Sequence, residues 1–198
     1  MTRRQHDPKR ADAQKNRDRI LEVARDALAV SSDASLNSIA KKAGVGPGTL
    51  YRHFPTREAL VLAVYRHDVQ QLVDSAPLLL EEHPPLDALR LWFDRLAYYG
   101  GIKHGLADVL HAATSDGLVG ETYGPVIGAI TLLLRACEEA GSIRSGLDPD
   151  DVLLMLGFLW RIDPSGDWEA RASRMLDLVV DGLRAKPPTE QPVPESPI

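Results

Sequence analysis

Ser35-Leu-Asn-Ser-Ile-Ala-Lys-Lys-Ala-Gly-Val-Gly-Pro-Gly-Thr-Leu-Tyr-Arg-His-Phe-Pro-Thr-Arg57 is the stretch around which the other residues of this 198-residue chain arrange themselves. Leu36, Ile39, Ala40 and Ala43 stand at i, i+3, i+4 and i+7, the stripe of a short helix with one buried face. Ser35 occupies the N-cap position, where a hydroxyl accepts an orphan amide proton of the first turn. Gly44 follows the last apolar position and suits the left-handed residue that ends a helix. Pro47 then marks a second start, because the first helical position needs no amide donor. Two helices across a tight Gly-containing turn make a helix-turn-helix.

The second helix is expected from roughly Pro47 to Phe54. Helical spacing puts Pro47, Leu50 and Phe54 inward and Gly48 and Arg52 outward, with Thr49, Tyr51 and His53 on the flanks. From Ser35 to Arg57 there is no acidic residue. A helix lying in a DNA groove runs between rows of phosphates, where a carboxylate would be repelled. Thr49, Tyr51, Arg52 and His53 all have the chemistry to reach base edges or phosphate oxygens. Pro55 stops the helix, Thr56 caps a new one, and Arg57 stands at its amino end within reach of a phosphate.

The pattern Ile39-Ala-Lys-Lys-Ala-Gly-Val-Gly-x-Gly-Thr-Leu-Tyr-Arg-His-Phe-x-x-Arg-Glu-x-Leu60 resembles the DNA-binding signature of TetR-family transcriptional regulators. The resemblance implies an all-α homodimer with an amino-terminal three-helix DNA-binding domain and a larger regulatory domain. It also implies that Thr49, Tyr51 and His53 touch DNA and that Arg57 stands where the family more often has Lys. Asn37 and Ser38 hold positions where some members carry a base-reading Arg, and Gly48 removes a side chain from the reading face. The candidate DNA-binding set is therefore Asn37, Ser38, Gly48, Thr49, Tyr51, Arg52, His53 and Arg57. A second likeness runs through Leu89-Arg-Leu-Trp-Phe93, Lys103 to Leu106 and Asp108-Val-Leu110, which are similar to the regulatory domain of one TetR subgroup.

The net charge of −5 is unevenly spread. Residues 1 to 70 hold 13 Lys and Arg against 8 Asp and Glu, whereas residues 71 to 198 hold 10 against 20. A positive head on an acidic body favours head-first approach to DNA. The single cysteine, Cys137, excludes an internal disulfide framework, fits a reducing cytoplasm and falls in an apolar run that reads as core. The first nineteen residues are polar and no apolar run approaches a membrane span, so neither a signal peptide nor membrane insertion is expected.

Taken in order, residues 1 to 14 read as a disordered basic arm carrying Arg3, Arg4, Lys9 and Arg10, either solubilising or following the DNA backbone. A first helix is expected from about Lys15 to Val30, closing a DNA-binding domain over 15 to 60. A ligand-binding and dimerisation domain is expected over 61 to 186. Its helices are read from Arg57 to about Leu72, from Pro85 to about Lys103, and over a short segment from Leu106 to Ala113. Further ones are read from about Gly124 to Ala140, ended by Gly141, from Pro149, capped by Asp148, through Val152 to Trp160, and from Trp168 to Arg184, about nine in all. Pro77, Pro84 and Pro85 mark the hinge of the chain's organisation, and residues 187 to 198 read as a disordered Pro-rich tail. Two apolar carboxy-terminal helices suggest a four-helix contact with a second copy.

No catalytic or metal-binding constellation stands out and no cofactor is implied. His104 and His111 are seven apart with Gly105 between them, adjacent acid pairs diverge by about 100°, and neither a nucleotide-binding loop nor a nucleophile elbow is present. Trp92, Phe93, Tyr99, His111 and Trp160 are the candidate lining of a pocket for a small, largely apolar effector. Two readings follow. One is a repressor that binds a palindromic operator as a homodimer and is released by a small molecule. The other is an all-helical binding protein or enzyme retaining the helix-turn-helix as structure only.

Overall fold

The computed structural model describes residues 8–31, 33–104, 118–163 and 166–184. Those residues form α1 (Pro8–Val30), α2 (Leu36–Lys42), α3 (Pro47–His53), α4 (Arg57–Glu82), α5 (Pro85–His104), α6 (Leu118–Glu139), α7 (Pro149–Met155), a 3-10 turn (Leu156–Trp160) and α8 (Trp168–Leu183). The all-α architecture expected from the sequence is what is found: an amino-terminal helix-turn-helix followed by a helical body. The expected short helix from Leu106 to Ala113, and with it His111, lies outside the described residues, as do residues 1–7 and the Pro-rich tail.

Two separate clusters of buried side chains organise the chain. The first joins Ile20, Leu21 and Ala24 of α1 to Ile39 and Ala40 of α2, Leu50 of α3, Phe54, and Leu60 and Val64 of α4. The second joins Leu72, Ala76 and Leu79 of α4 to Trp92 and Phe93 of α5, Ile130 and Leu133 of α6, and Leu176 and Leu183 of α8. Helix α4 thus contributes its first turns to one core and its last turns to the other. The chain runs through both without an intervening loop.

Several boundaries differ from the sequence expectation, each for a local reason. Helix α1 starts at Pro8 rather than near Lys15. Pro8 suits the first turn, and the residues behind it include no breaker. Helix α4 continues to Glu82 with Pro77 inside it, so Pro77 is not a hinge. Proline has no N–H for the Val73 carbonyl one turn back. Next to that gap the Leu72 carbonyl accepts hydrogen bonds from the Ser75 hydroxyl at 2.7 Å and the Trp92 indole N–H at 2.9 Å. Burial of Ala76 and Leu79 on either side of the proline keeps the helix whole. Helix α5 runs through Gly100 and Gly101 to His104, and α6 begins at Leu118, before Gly124 and Pro125. A glycine within a helix costs about 1 kcal/mol, which packing readily outweighs. The expected helix from Pro149 to Trp160 is instead two pieces, the seven residues of α7 and a tighter 3-10 turn.

The helix ends read from the sequence do form. Gly44 has φ +66 and Gly141 has φ +67, and both close Schellman motifs. After α2 the Val45 amide donates to the Ala40 carbonyl at 3.0 Å and Gly44 to Lys41 at 3.2 Å. After α6 the Ser142 amide donates to Cys137 at 3.0 Å and Gly141 to Glu138 at 2.9 Å. Asp148 caps α7, its carboxylate accepting the Asp150 amide at 2.8 Å. Cys137 is buried, and burial pushes its thiol up from the ordinary range, so it behaves as core. Arg90 of α5 ties the body together by reaching α8, its Nε 2.9 Å from Asp177 and its Nη2 bonded to the Ser173 hydroxyl at 3.0 Å.

Candidate nucleic-acid interface

The reading helix α3 is placed by what it buries. Leu50 and Phe54 are 0% and 2% exposed and enter the small core of α1, α2 and α4. With that side fixed, Gly48, Tyr51 and Arg52 face solvent, Tyr51 at 44% exposure, and Thr49 and His53 are half-buried at the flanks. Pro47, expected to pack inward, is exposed, because it lies in the first turn ahead of the buried positions.

Helix α2 is held at its start by two reciprocal hydrogen bonds. The Ser35 hydroxyl oxygen accepts the Ser38 amide at 3.2 Å, and the Ser38 hydroxyl donates to the Ser35 carbonyl at 2.8 Å. Ser38 therefore already spends its hydroxyl proton on the helix end. Asn37 beside it is exposed. Thr56 caps α4 by accepting the Ala59 amide at 3.1 Å. Arg57 is half-buried and donates from Nη1 to the Ala34 carbonyl at 2.7 Å, pinning the start of α4 to the loop before α2. Its other guanidinium N–H groups remain for another partner.

Helix α1 adds cations to the same end of the molecule. The Arg17 guanidinium lies 5.5 Å from the Phe54 ring centroid, and the Arg19 side chain passes the helix-turn-helix turn at Gly44. Lys41 and Lys42 of α2 and Arg52 of α3 are exposed as well, and no acid falls between Ser35 and Arg57.

Gly48 has no internal explanation. A Cβ placed there would meet nothing within 4 Å, and its φ is not in the left-handed region. Neither crowding nor backbone strain inside the protein calls for glycine at this exposed helical position. Close approach of something outside would.

Behind the head lies a polar seam that the sequence reading passed over. Asp68 of α4 is 5% exposed, and one of its carboxylate oxygens accepts no hydrogen bond. Its nearest cation is Arg25 of α1, with Nη1 3.8 Å away. Burial, only partly offset by Arg25 and reinforced by Asp26, pushes the Asp68 carboxyl up to about 7. Arg25 also donates to the Gln71 side-chain oxygen at 3.4 Å, as does the Tyr99 hydroxyl of α5 at 3.4 Å. The signal was in the spacing. Val64, Asp68 and Leu72 fall at i, i+4 and i+8, so an acid sits on the buried stripe of α4.

Of the five residues read as effector pocket, the four that are described differ in burial. Trp92 and Phe93 are 0% exposed in the body core. Tyr99 is half-buried, Trp160 is 37% exposed at the end of the 3-10 turn, and His111 lies outside the described residues. Of the five, Tyr99 lines a described cavity, between α4 and α5. Among the described residues no group of three or more His, Cys, Asp and Glu could hold a metal ion, and no helix is long and apolar enough to cross a membrane.

A family model described as bacterial regulatory proteins, tetR family, matches residues 20–64, and one described as transcriptional regulator SbtR-like, C-terminal domain, matches residues 84–185. Among solved structures, the TetR transcriptional regulator SCO0520 from Streptomyces coelicolor is 45% identical with a TM-score of 0.76, covering 85% of this chain and 98% of that one. The TetR transcription regulatory protein from Mycobacterium vanbaalenii is 32% identical with a TM-score of 0.72, covering 90% of this chain and 100% of that one. The HTH-type transcriptional regulator SAB2452 of Staphylococcus aureus is 31% identical over 93 residues, 46% of this chain and 50% of that protein. UidR of Escherichia coli K12, also an HTH-type transcriptional regulator, is 37% identical over 67 residues, 33% of this chain and 34% of that protein. The chain thus spans about half the length of the first of these two relatives and about a third of the second.

Proposed function

The chain belongs to the TetR family of transcriptional regulators, and from that premise we propose that it represses transcription by binding a palindromic operator as a homodimer until a small molecule releases it. The observation that carries the DNA half is the face of α3. It is exposed, free of acid, and carries Tyr51 and Arg52 beside a Gly48 whose missing side chain nothing internal requires. Tyr51, Arg52, Thr49 and His53 reach base edges or phosphates, Gly48 lets the groove wall come close, and Asn37 and Arg57 hold the flanking backbone, with Ser38 kept to capping α2.

A second copy is supported by a different surface. Leu154 at 78% exposure, Met155 at 47% and Leu178 at 72% leave α7 and α8 with an apolar face. Phe158, Met175 and Val179 continue it around a cavity of about 270 Å3. Gly182 on that face has nothing within 4 Å of its Cβ position, which leaves room for the backbone of a partner helix. Joined there, the two heads meet successive major grooves about 34 to 36 Å apart.

A salt titration tests the reading. Operator affinity should fall steeply as salt rises, by several phosphate equivalents. A chain that keeps the helix-turn-helix as structure only would bind no duplex even at about 50 mM salt. Selection of bound duplexes from a random pool would supply the operator and reveal its symmetry.

A further inference from the structure

Between α4 and α5 lies an open cavity of about 460 Å3, in the size range of small-molecule sites. Gln71, Asp74 and Leu78 line it from α4, at i, i+3 and i+7, and Asp94, Arg95, Tyr98 and Tyr99 line it from α5. Asp94 is paired with Arg90 one turn back, so among the described residues the charges left without an ion pair are Asp74 on one wall and Arg95 on the other. Asp74 accepts one hydrogen bond, from Gln70 at 2.8 Å, and among the described residues Arg95 enters no ion pair. Leu78 and Tyr98 leave apolar surface open to the cavity at 54% and 49% exposure.

One wall of this cavity is connected to the reading head. The Gln71 side-chain oxygen that accepts Tyr99 also accepts Arg25 from α1, both at 3.4 Å, the long end of hydrogen bonding. Beyond Arg25 lies the buried Asp68 oxygen that accepts no hydrogen bond. The junction of head and body is thus made of long polar contacts that a small displacement of Gln71 or Tyr99 would rearrange.

We propose that this cavity is an effector site for a small zwitterion, an amino-acid-like molecule with an ammonium and a carboxylate on an apolar or aromatic body, and that its occupancy is passed to α1 through Gln71 and Arg25. The ammonium meets Asp74, the carboxylate meets the Arg95 guanidinium, and the body lies over Tyr98 and Leu78. A simple amine or a simple acid satisfies one wall and sets a like charge against the other. The ligand shifts the head only in so far as it binds the two arrangements of the Gln71–Arg25 contact differently. The link to DNA release rests on the repressor reading above, whereas binding at the cavity does not.

Calorimetry on the full chain with matched probes tests it: phenylalanine, leucine and tryptophan against their decarboxylated amines and deaminated acids, each up to about 10 mM, the weak-affinity range. At least one zwitterion should bind roughly tenfold tighter than its own amine and acid. Asp74→Asn should remove its advantage over the acid, and Arg95→Gln its advantage over the amine. Arg25→Met should keep the probe bound while abolishing its effect on operator affinity. If no zwitterion outbinds its matched amine and acid, or if neither wall substitution alters the ranking, the cavity is not this site. An effect on operator affinity that survives Arg25→Met overturns the proposed route. Operator binding by the ligand-free chain, measured alongside, separates these failures from failure of the repressor reading.

Discussion

Head and body are held together by opposite means. In the head, α2 and α3 are seven residues long, too short to persist alone. Their ends are therefore fixed by local chemistry: Ser35 and Thr56 hydroxyls at two starts, Pro47 at a third, and Gly44 at a stop. The filling is small, with Ala24, Ala27, Ala40, Ala43 and Ala63 around Leu50 and Phe54. In the body, longer helices meet across residues far apart in sequence, around the fully buried Trp92 and Phe93. Their unfinished surfaces differ accordingly. The head shows a polar, acid-free face suited to a polyanion, and the body an apolar one suited to its own copy.

That contrast can be broken most severely at the body's apolar face. The double variant Leu154→Asp, Leu178→Asp adds charge at two exposed positions, so each chain should still fold. Sedimentation should show a monomer, and operator affinity should fall roughly 10²–10⁴-fold as the second head loses its tether. A variant that remains dimeric would place the interface elsewhere.

The seam between the regions gives the next effect. With an unfolded value near 3.8 and a folded value of about 7, Asp68 keeps its proton longer in the folded state. Its contribution is fully present below the unfolded value and is lost as pH rises through about 7. Arg25, Asp26 and Glu22 of α1, His67 of α4 and Tyr98 and Tyr99 of α5 supply the surrounding titratable groups. Chemical denaturation of the wild type between about pH 5 and pH 8 should reveal a loss on the order of a few kcal/mol, largely flattened in Asp68→Asn. Equal slopes for the two proteins would show that the seam carries no buried proton.

At the head's polar face the expected effect is smaller and of another kind. Tyr51→Ala and Arg52→Ala should each cost about 1–3 kcal/mol of discrimination between operator and random duplex while leaving melting temperature and dimer intact. Unchanged footprints would remove α3 from the interface. The finest comparison is Gly48→Ala. It should stabilise the fold by up to about 1 kcal/mol, measured by denaturation, because alanine is the better helix former. The same change should weaken operator binding. Gain in both would mean that nothing approaches closely there.

The head was legible in sequence because its determinants are local: a cap, a glycine stop, a proline start and an apolar stripe within some twenty residues of each other. The body was legible as helices but not in its details. Pro77 reads as a break, yet helix continues through it because buried Ala76 and Leu79 outweigh one lost hydrogen bond. Trp92 and Phe93 read as candidate pocket lining but are fully buried in the core. Their placement depends on α4, where the Leu72 carbonyl takes the indole proton. The Asp68 seam was visible as an acid on a buried stripe, but its partner Arg25 lies on another helix, and only the fold brings them together.

Helix α4 belongs to both cores, and this limits how such a protein can be recombined. A hybrid that exchanges heads by cutting at the loop before Arg57 would leave the donor head without Leu60 and Val64. A splice inside α4 beyond Val64 would keep both fillings but set the donor's first helix against the recipient's Asp68 and Gln71. Viable chimaeras of this chain should therefore carry Arg25, Asp68 and Gln71 across as one inherited unit, whichever operator the new head reads.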